Sequence, residues 1–121
     1  MKNIQLTCAH ALVKFIIAQK TLVDGKKVPL FPGVFGIFGH GNVACLGQAL
    51  QEYQKDLPTW RGHHEQNMAL TGIAYSRAKR RKQIFVATSS VGPGSTNMIT
   101  AAAVAMSNRI PILFLPGDTF A

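Results

Sequence analysis

Three short apolar runs divide this chain, and each is followed by glycine or polar residues. The runs are GVFGIFG (33–39), QIFVAT (83–88) and IPILFLPG (110–117). Short, almost continuously apolar runs are typical of strands buried on both faces, and strands that alternate with helices form parallel sheets. Right-handed crossovers then place helices on both faces of the sheet. The sequence therefore predicts an α/β fold with a parallel sheet, in which LPTWRGH (57–63) is a weaker additional strand.

Four helices are predicted around these strands. Thr7 can cap the first of them, and Asn42 can cap the second. The predicted helices run from Thr7 to about Lys20, from Asn42 to about Tyr53, from about His64 to Lys79 and from about Thr96 to Asn108. The inner face of the second helix is predicted to contain Val43, Leu46, Leu50 and Tyr53. VDGKKVPLFPG (23–33) has the Asp-Gly pair, prolines and lysines of an exposed turn and connector.

The length of 121 residues suits one domain with a small core. The sequence ends at Ala121, four residues after an apolar run, where an α/β sheet normally continues into another helix. We therefore expect part of a longer protein, with a sheet that is truncated after about four strands.

The cysteines and the apolar segments bear on the cellular compartment. Cys8 and Cys45 are far apart in the sequence and are predicted to be buried free thiols of a reducing cytoplasm. Lys14 interrupts the apolar residues near the start, which excludes a signal-peptide pattern, and no apolar run reaches the length of a membrane span. We expect a cytoplasmic protein with no membrane partner.

The chain is strongly basic, with 13 Lys and Arg residues against 5 Asp and Glu residues and a formal net charge of +8. This charge permits attraction to nucleic acid, acidic lipid or phosphorylated ligands, and it does not select among them. RAKRRKQ (77–83) could grip a phosphate backbone. It stands at a predicted helix end without interleaved aromatic residues, which favours a solvated face that complements the helix dipole. We expect no nucleic-acid partner, although a basic binding module stays an alternative.

Polar or glycine-rich stretches follow three of the predicted strands. They are FGHGN (38–42), HHEQ (63–66) and SSVGPGSTN (89–97). Because ligands of parallel α/β proteins bind beyond the carboxyl ends of the strands, these stretches predict one common site. His63 and His64 are adjacent and belong to no HExxH pattern, so metal ligation is not expected.

The two glycine motifs leave more than one interpretation open. GHGNVA (39–44) fits a loose dinucleotide-binding pattern, but Asp56 and Glu65 only approximate the acid expected about 20 residues later. A plain tight turn explains these glycines equally well. GPGSTN (92–97) opens a helix whose N–H groups could receive an anion, and the missing Gly-Lys-Ser/Thr excludes a P-loop.

Taken together, these stretches resemble the pyrimidine-binding (PYR) domain of thiamine-diphosphate enzymes. VFGIFG (34–39) is similar to the family's first strand, with Phe38 where proline is common, and IPILFLPGD (110–118) is similar to a later strand. HEQNMALTGIAYSR (64–77) resembles the HEQ segment, and TSSVGPGSTN (88–97) resembles the TSGPG-x-TN turn. Two extra residues, Ser90 and Val91, lengthen that turn. With this longer turn the sequence is similar to a branch of the family that opens the ring of a cyclic dione in myo-inositol catabolism.

The resemblance implies roles for particular residues. Glu65 would hydrogen-bond N1′ of the aminopyrimidine of thiamine diphosphate, and His40 would face the substrate as a candidate catalytic acid or base. The other cofactor-binding residues implied are Gly39, Gly92, Pro93, Gly94 and Asn97. Another thiamine-diphosphate lyase or carboligase, similar to acetolactate synthase, is the alternative.

The resemblance also implies partners outside this sequence. The family binds the diphosphate and Mg²⁺ through a later GDG…N motif, of which only Gly117, Asp118 and Thr119 offer a trace here. Residues 1–121 would thus be an incomplete PYR domain, without the central and diphosphate-binding domains. The diphosphate-binding domain of a partner subunit would complete the site in a homo-oligomer, with a cyclic dione as substrate, and the chain alone would be inactive.

Overall fold

The computed structural model describes residues 3–118, which form six helices, one π-helical turn and six strands. In chain order they are α1 (Cys8–Ala18), β1 (Lys20–Val23), β2 (Lys26–Pro29), β3 (Val34–Gly36), α2 (Gly39–Asn42), the π-helical turn (Val43–Gly47), α3 (Gln48–Glu52), β4 (Thr59–Arg61), α4 (Glu65–Ala78), β5 (Val86–Ser89), α5 (Pro93–Thr96), α6 (Ile99–Ser107) and β6 (Leu113–Pro116). Thr119 and Ala121, which entered the sequence predictions, lie outside the described residues.

The central sheet has four strands in the order β4-β3-β5-β6, and all its neighbouring pairs are parallel. Val34 of β3 pairs with both Thr59 of β4 and Val86 of β5, and Val86 pairs in turn with Leu113 of β6. The predicted parallel α/β sheet is therefore confirmed, and the weakest strand prediction proves to be the edge strand β4. The other edge strand is β6, which was predicted to be buried but is half-buried or exposed because it has a neighbour on one side only. All four carboxyl ends lie at one end of the sheet, which is where the candidate site forms.

Helices cover both faces of this sheet, as predicted. Val86 and Ala87 are adjacent in β5 and point to opposite faces. Val86 belongs to a buried cluster with α1 and α3, and Ala87 belongs to a second cluster with α4 and α6. The residues that the helices bury in the first cluster include Val13, Ile16, Ala49 and Leu50, and those in the second include Ala69, Ile73, Ala101 and Ala105.

Residues 23–33 were predicted as a connector, whereas β1 and β2 form an antiparallel hairpin. The Asp-Gly signal for the turn was right, because Asp24 and Gly25 both have positive φ, at 49° and 77°. Two positive-φ residues match the right-handed twist of a two-residue hairpin. The strands were missed because they are short and rich in exposed lysine, so neither shows a clear apolar alternation.

The helix predicted from Asn42 is divided between α2, the π-helical turn and α3. Asn42 has helical φ and ψ and does not act as a cap; its amide instead donates to the carbonyl of Ser89 at 3.0 Å. Leu46 and Leu50 are buried as predicted, but Val43 is 58% exposed. The wider π-helical turn changes the number of residues per turn and so rotates Val43 away from the face that 3.6-residue periodicity assigns to it.

Two further predictions need correction. The last helix was predicted to start near Thr96, but α5 ends there and α6 begins only at Ile99. Cys8 and Cys45 are free thiols, as predicted, yet both are exposed. Cys8 is the first residue of α1 and Cys45 lies in the π-helical turn, so neither reaches the core. Within residues 3–118, no helix is long and apolar enough to cross a membrane.

Candidate functional site

Three loops meet beyond the carboxyl ends of the parallel strands. Gly39 follows β3, Glu65 follows β4 as the first residue of α4, and Ser90 and Gly94 follow β5. A Cβ atom on Gly39 would lie 2.5 Å from the Cβ of Ser90, and one on Gly94 would overlap the Ser90 hydroxyl. The same Cβ on Gly94 would lie 3.1 Å from Oε1 of Glu65. The structure thus brings the predicted stretches into direct contact.

Glu65 is half-buried and its carboxylate is held on one side. Oε2 of Glu65 accepts a hydrogen bond of 2.8 Å from the side-chain amide of Asn97. Oε1 of Glu65 accepts no hydrogen bond from the described residues. It lies on the side of Gly94 where any other residue would have its Cβ atom. Glu65 occupies the first turn of α4, where the positive end of the helix dipole favours a carboxylate. One oxygen is therefore anchored, and the other has no hydrogen-bond donor among the described residues.

His64 serves the helix that follows it. Nδ1 of His64 accepts the backbone N–H of Asn67 at 3.4 Å, which caps the start of α4, while Nε2 lies 3.5 Å from the Asn97 amide. Across the described part of the chain, no three His, Cys, Asp or Glu side chains are grouped as metal ligands would be. His64 is thus a capping residue beside the carboxylate.

The glycine turn after β5 needs its glycines for two different reasons. Gly92 has φ 59° and ψ −118°, a conformation that suits glycine, although no atom would meet a Cβ there within 4 Å. Pro93 then takes the first position of α5, where its missing N–H costs no hydrogen bond. Gly94 is required for space, since Ser90 and Glu65 occupy the volume of a side chain. The turn is therefore shaped around the carboxylate.

Ser95 forms a hydrogen bond to the segment with the two extra residues of this turn. The sequence motifs did not identify Ser95 as a residue of the site. Its hydroxyl donates to the carbonyl of Ser90 at 2.7 Å. A serine in the first helical turn commonly bonds a nearby backbone carbonyl, but the sequence alone does not show which one. The bond ties α5 to the segment that contains Ser90 and Val91.

His40 lines a cavity together with Ser90, which also lies against Gly94 beside Glu65. It is exposed and lines a cavity of about 380 Å³ with Asn42, Ser90 and Val91, while no hydrogen bond joins it to Glu65. The carbonyl of Ser89 accepts the Asn42 amide at 3.0 Å and so fixes the floor of this cavity. The sequence analysis treated Asn42 only as a helix cap and missed this contact.

A parallel α/β fold, with a carboxylate fixed by an asparagine of the neighbouring glycine turn, is consistent with the family resemblance. Residues 32–121 match the family described as "Thiamine pyrophosphate enzyme, N-terminal TPP binding domain". The chain belongs to this family.

Two relatives show where in the family the similarity is high. The chain is 54% identical over 121 residues to the 3D-(3,5/4)-trihydroxycyclohexane-1,2-dione hydrolase of Geobacillus thermodenitrificans. This alignment covers 100% of the chain and 19% of the relative. It is 52% identical over 120 residues to the protein of the same name from Clostridium tetani. That alignment covers 99% of the chain and again 19% of the relative. The chain therefore spans about a fifth of the length of these relatives, 19% in each case.

Proposed function

We propose that this chain is the N-terminal part of a thiamine-diphosphate-dependent hydrolase that opens the ring of trihydroxycyclohexane-1,2-dione to 5-deoxy-glucuronic acid in myo-inositol catabolism. The support is an identity of 52% to 54% over 99% to 100% of the chain with relatives named for hydrolysis of that dione. The proposal includes a cytoplasmic location, in keeping with a catabolic enzyme.

Residues 1–121 form part of the pyrimidine-binding domain in this proposal. The central and diphosphate-binding domains belong to the remaining length that the relatives have, since the chain covers only 19% of them. The diphosphate-binding domain holds the diphosphate together with Mg²⁺. It comes from a partner subunit of a homo-oligomer, so that two chains build each site.

The observation that carries the proposal is the Glu65 carboxylate, in which one oxygen is anchored and the other has no hydrogen-bond donor among the described residues. A pyrimidine ring nitrogen needs a single hydrogen-bonding partner of fixed direction, and Oε1 of Glu65 offers one beside Gly94. The Asn97 amide holds Oε2 at 2.8 Å and so restricts the rotation of the carboxylate. The described residues therefore fit the pyrimidine half of thiamine diphosphate.

The protein's own residues bind, orient and share a proton in this mechanism. Bound thiamine diphosphate supplies the carbon nucleophile and the electron sink for breaking the C–C bond of the dione. Glu65 shares a proton with the ring nitrogen, and Asn97 keeps the carboxylate directed at it. Gly94 lets Ser90 and Glu65 approach the turn after β5 closely, while Gly39, Gly92 and Pro93 set the course of the two turns beside it.

His40 is assigned to the substrate side of the site. Its cavity of about 380 Å³ is of the size that small ligands occupy, and Ser90 separates it from Glu65 by one side chain. An imidazole can give or take a proton near neutral pH, which suits the addition of water that releases the ring-opened acid.

A chimera tests the substrate. The matching segment of the Geobacillus thermodenitrificans relative is replaced by this chain, and hydrolysis of the cyclic dione is compared with consumption of pyruvate. We expect the chimera to hydrolyse the dione at a rate within about tenfold of the parent, because the replaced segment is 54% identical. The 121-residue chain alone is the matched control and is expected to be inactive.

Two outcomes would contradict the proposal. A folded chimera that consumes pyruvate and leaves the dione intact would assign the chain to a lyase or carboligase of the same family. Dione hydrolysis by the chain alone would show that no further domain is needed.

A further inference from the structure

A second cavity of about 380 Å³ lies at the amino ends of the strands, away from the Glu65 site. Its walls come from the C-terminal ends of α4 and α6. The residues that line it are Arg77, Arg80, Arg81, Asn108 and Ile110. Because α4 has 14 residues, its length of about 20 Å separates this cavity from Glu65 at the opposite end of the same helix.

Both helices end in the same backbone motif, and both have arginine at the position where glycine is usual. The N–H of Arg81 bonds the carbonyl of Ser76 at 2.8 Å, and the N–H of Arg80 bonds that of Arg77 at 3.0 Å. This pattern is a Schellman motif, and α6 repeats it around Arg109. Arg80 and Arg109 both have φ of 52°. Backbone N–H groups thus cap these helix ends, so the guanidinium groups are not needed for that purpose.

The guanidinium groups around the cavity have no anionic partner. The two ion pairs within residues 3–118 join His10 to Glu52 and Lys82 to Asp24. No side-chain hydrogen bond or ion pair is formed by the arginines that line the cavity, within the part of the chain that the structure describes. The three lining arginines bring three full positive charges, whereas each of the two helix ends brings about half a negative charge. The cavity is therefore strongly positive.

We propose that this cavity binds the phosphate group of a small molecule, either inorganic phosphate or a phosphomonoester. Guanidinium groups bind phosphate through paired N–H···O bonds, and the lining arginines come from the last turn of α4 and from the residues that follow it. The volume of about 380 Å³ suits a small ligand. Among the described residues, no aromatic side chain lines the cavity to stack a base, which favours a small anion over single-stranded nucleic acid.

The test is titration of inorganic phosphate into the chimera by calorimetry at constant ionic strength, with glucose 6-phosphate in a second arm. We expect saturable binding that Arg80→Gly weakens at least about tenfold, since a charge-assisted bidentate contact is lost. Tighter binding of glucose 6-phosphate would identify a phosphomonoester as the better ligand, and equal binding would identify the phosphate group alone.

Arg109→Gly is the matched control. It removes one charge from the same motif position with the same φ of 52°, but Arg109 does not line the cavity. We expect this control to weaken phosphate binding by no more than about threefold, because the Arg109 side chain does not line the cavity although its neighbours Asn108 and Ile110 do, so only a charge outside the cavity is lost. Glycine relieves the positive φ at both sites, so both variants should melt at a temperature no lower than the chimera.

Three results would overturn the proposal. They are an absence of saturable phosphate binding, an equal loss of affinity in Arg80→Gly and Arg109→Gly, and binding of an RNA oligonucleotide that phosphate does not displace. Dione hydrolysis in the same samples reports on the Glu65 site, so failure of the phosphate site is distinguishable from failure of the proposed function.

Discussion

Three features of its surroundings determine the position of the Glu65 carboxylate. The start of α4 places its backbone, the Asn97 amide fixes Oε2 at 2.8 Å, and Gly94 keeps the Oε1 side open. The family resemblance implied all three as site residues, namely Glu65, Gly94 and Asn97. The hydrogen bond between Glu65 and Asn97 was not predicted, because it joins residues 32 positions apart and depends on how α4 and the turn after β5 pack.

A methyl group at position 94 is the sharpest test of this arrangement. In the chimera, Gly94→Ala should reduce dione hydrolysis by about 10²-fold, since the new Cβ overlaps Ser90 and displaces a catalytic group by about 1 Å. Initial rates at saturating dione measure the effect.

Gly92→Ala is the matched control for this variant. Its Cβ meets no atom within 4 Å, so it adds only the strain of a sparsely populated backbone conformation, which costs about 1–3 kcal/mol. The control should therefore retain more activity than Gly94→Ala. Equal activity of Gly94→Ala and the unchanged chimera would show that the space beside Glu65 is not used.

At the scale of elements, the strongly patterned segments were predictable and the locally irregular ones were not. The apolar runs that form β3 and β5 predicted burial correctly, whereas the equally apolar run of β6 forms an edge strand whose residues are half-buried or exposed. The π-helical turn has no comparable pattern, because it differs from an α-helix only in hydrogen bonding, and it moved Val43 to the surface. The strand order β4-β3-β5-β6 was not predicted either, since pairing depends on contacts distant in sequence.

Helix α1 precedes the region matched by the family, residues 32–121, yet it packs into the core. Ile16 is 2% exposed, whereas Phe15 beside it is 62% exposed. Ile16→Ala should lower the free energy of unfolding by about 2–5 kcal/mol because it opens a cavity. Phe15→Ala is the matched control and should change it by no more than about 0.5 kcal/mol. Urea denaturation of the chain followed by circular dichroism measures both, and equal effects would show that α1 is not part of the core.

The whole molecule places two charged sites at opposite ends of one sheet. The carboxyl ends of the strands meet at Glu65, and the amino ends lie near the arginine cavity. The net charge of +8 does not by itself locate a binding surface, because its distribution depends on where α4 and α6 end. In the proposed function, the partner domain meets the carboxyl ends of the strands, where Oε1 of Glu65 has no hydrogen-bond donor among the described residues.

Proton exchange at the reactive C2 carbon of thiamine diphosphate, followed by NMR in deuterium oxide, measures the role of Glu65 without any substrate. In the chimera, Glu65→Gln should slow this exchange by about 10²–10⁴-fold, because a positioned acid–base group is lost while the shape of the side chain is kept. His63→Gln, which changes an exposed neighbour, should leave the rate unchanged. Exchange at the unchanged rate in a folded, cofactor-bound Glu65→Gln chimera would contradict the proposed role of Glu65.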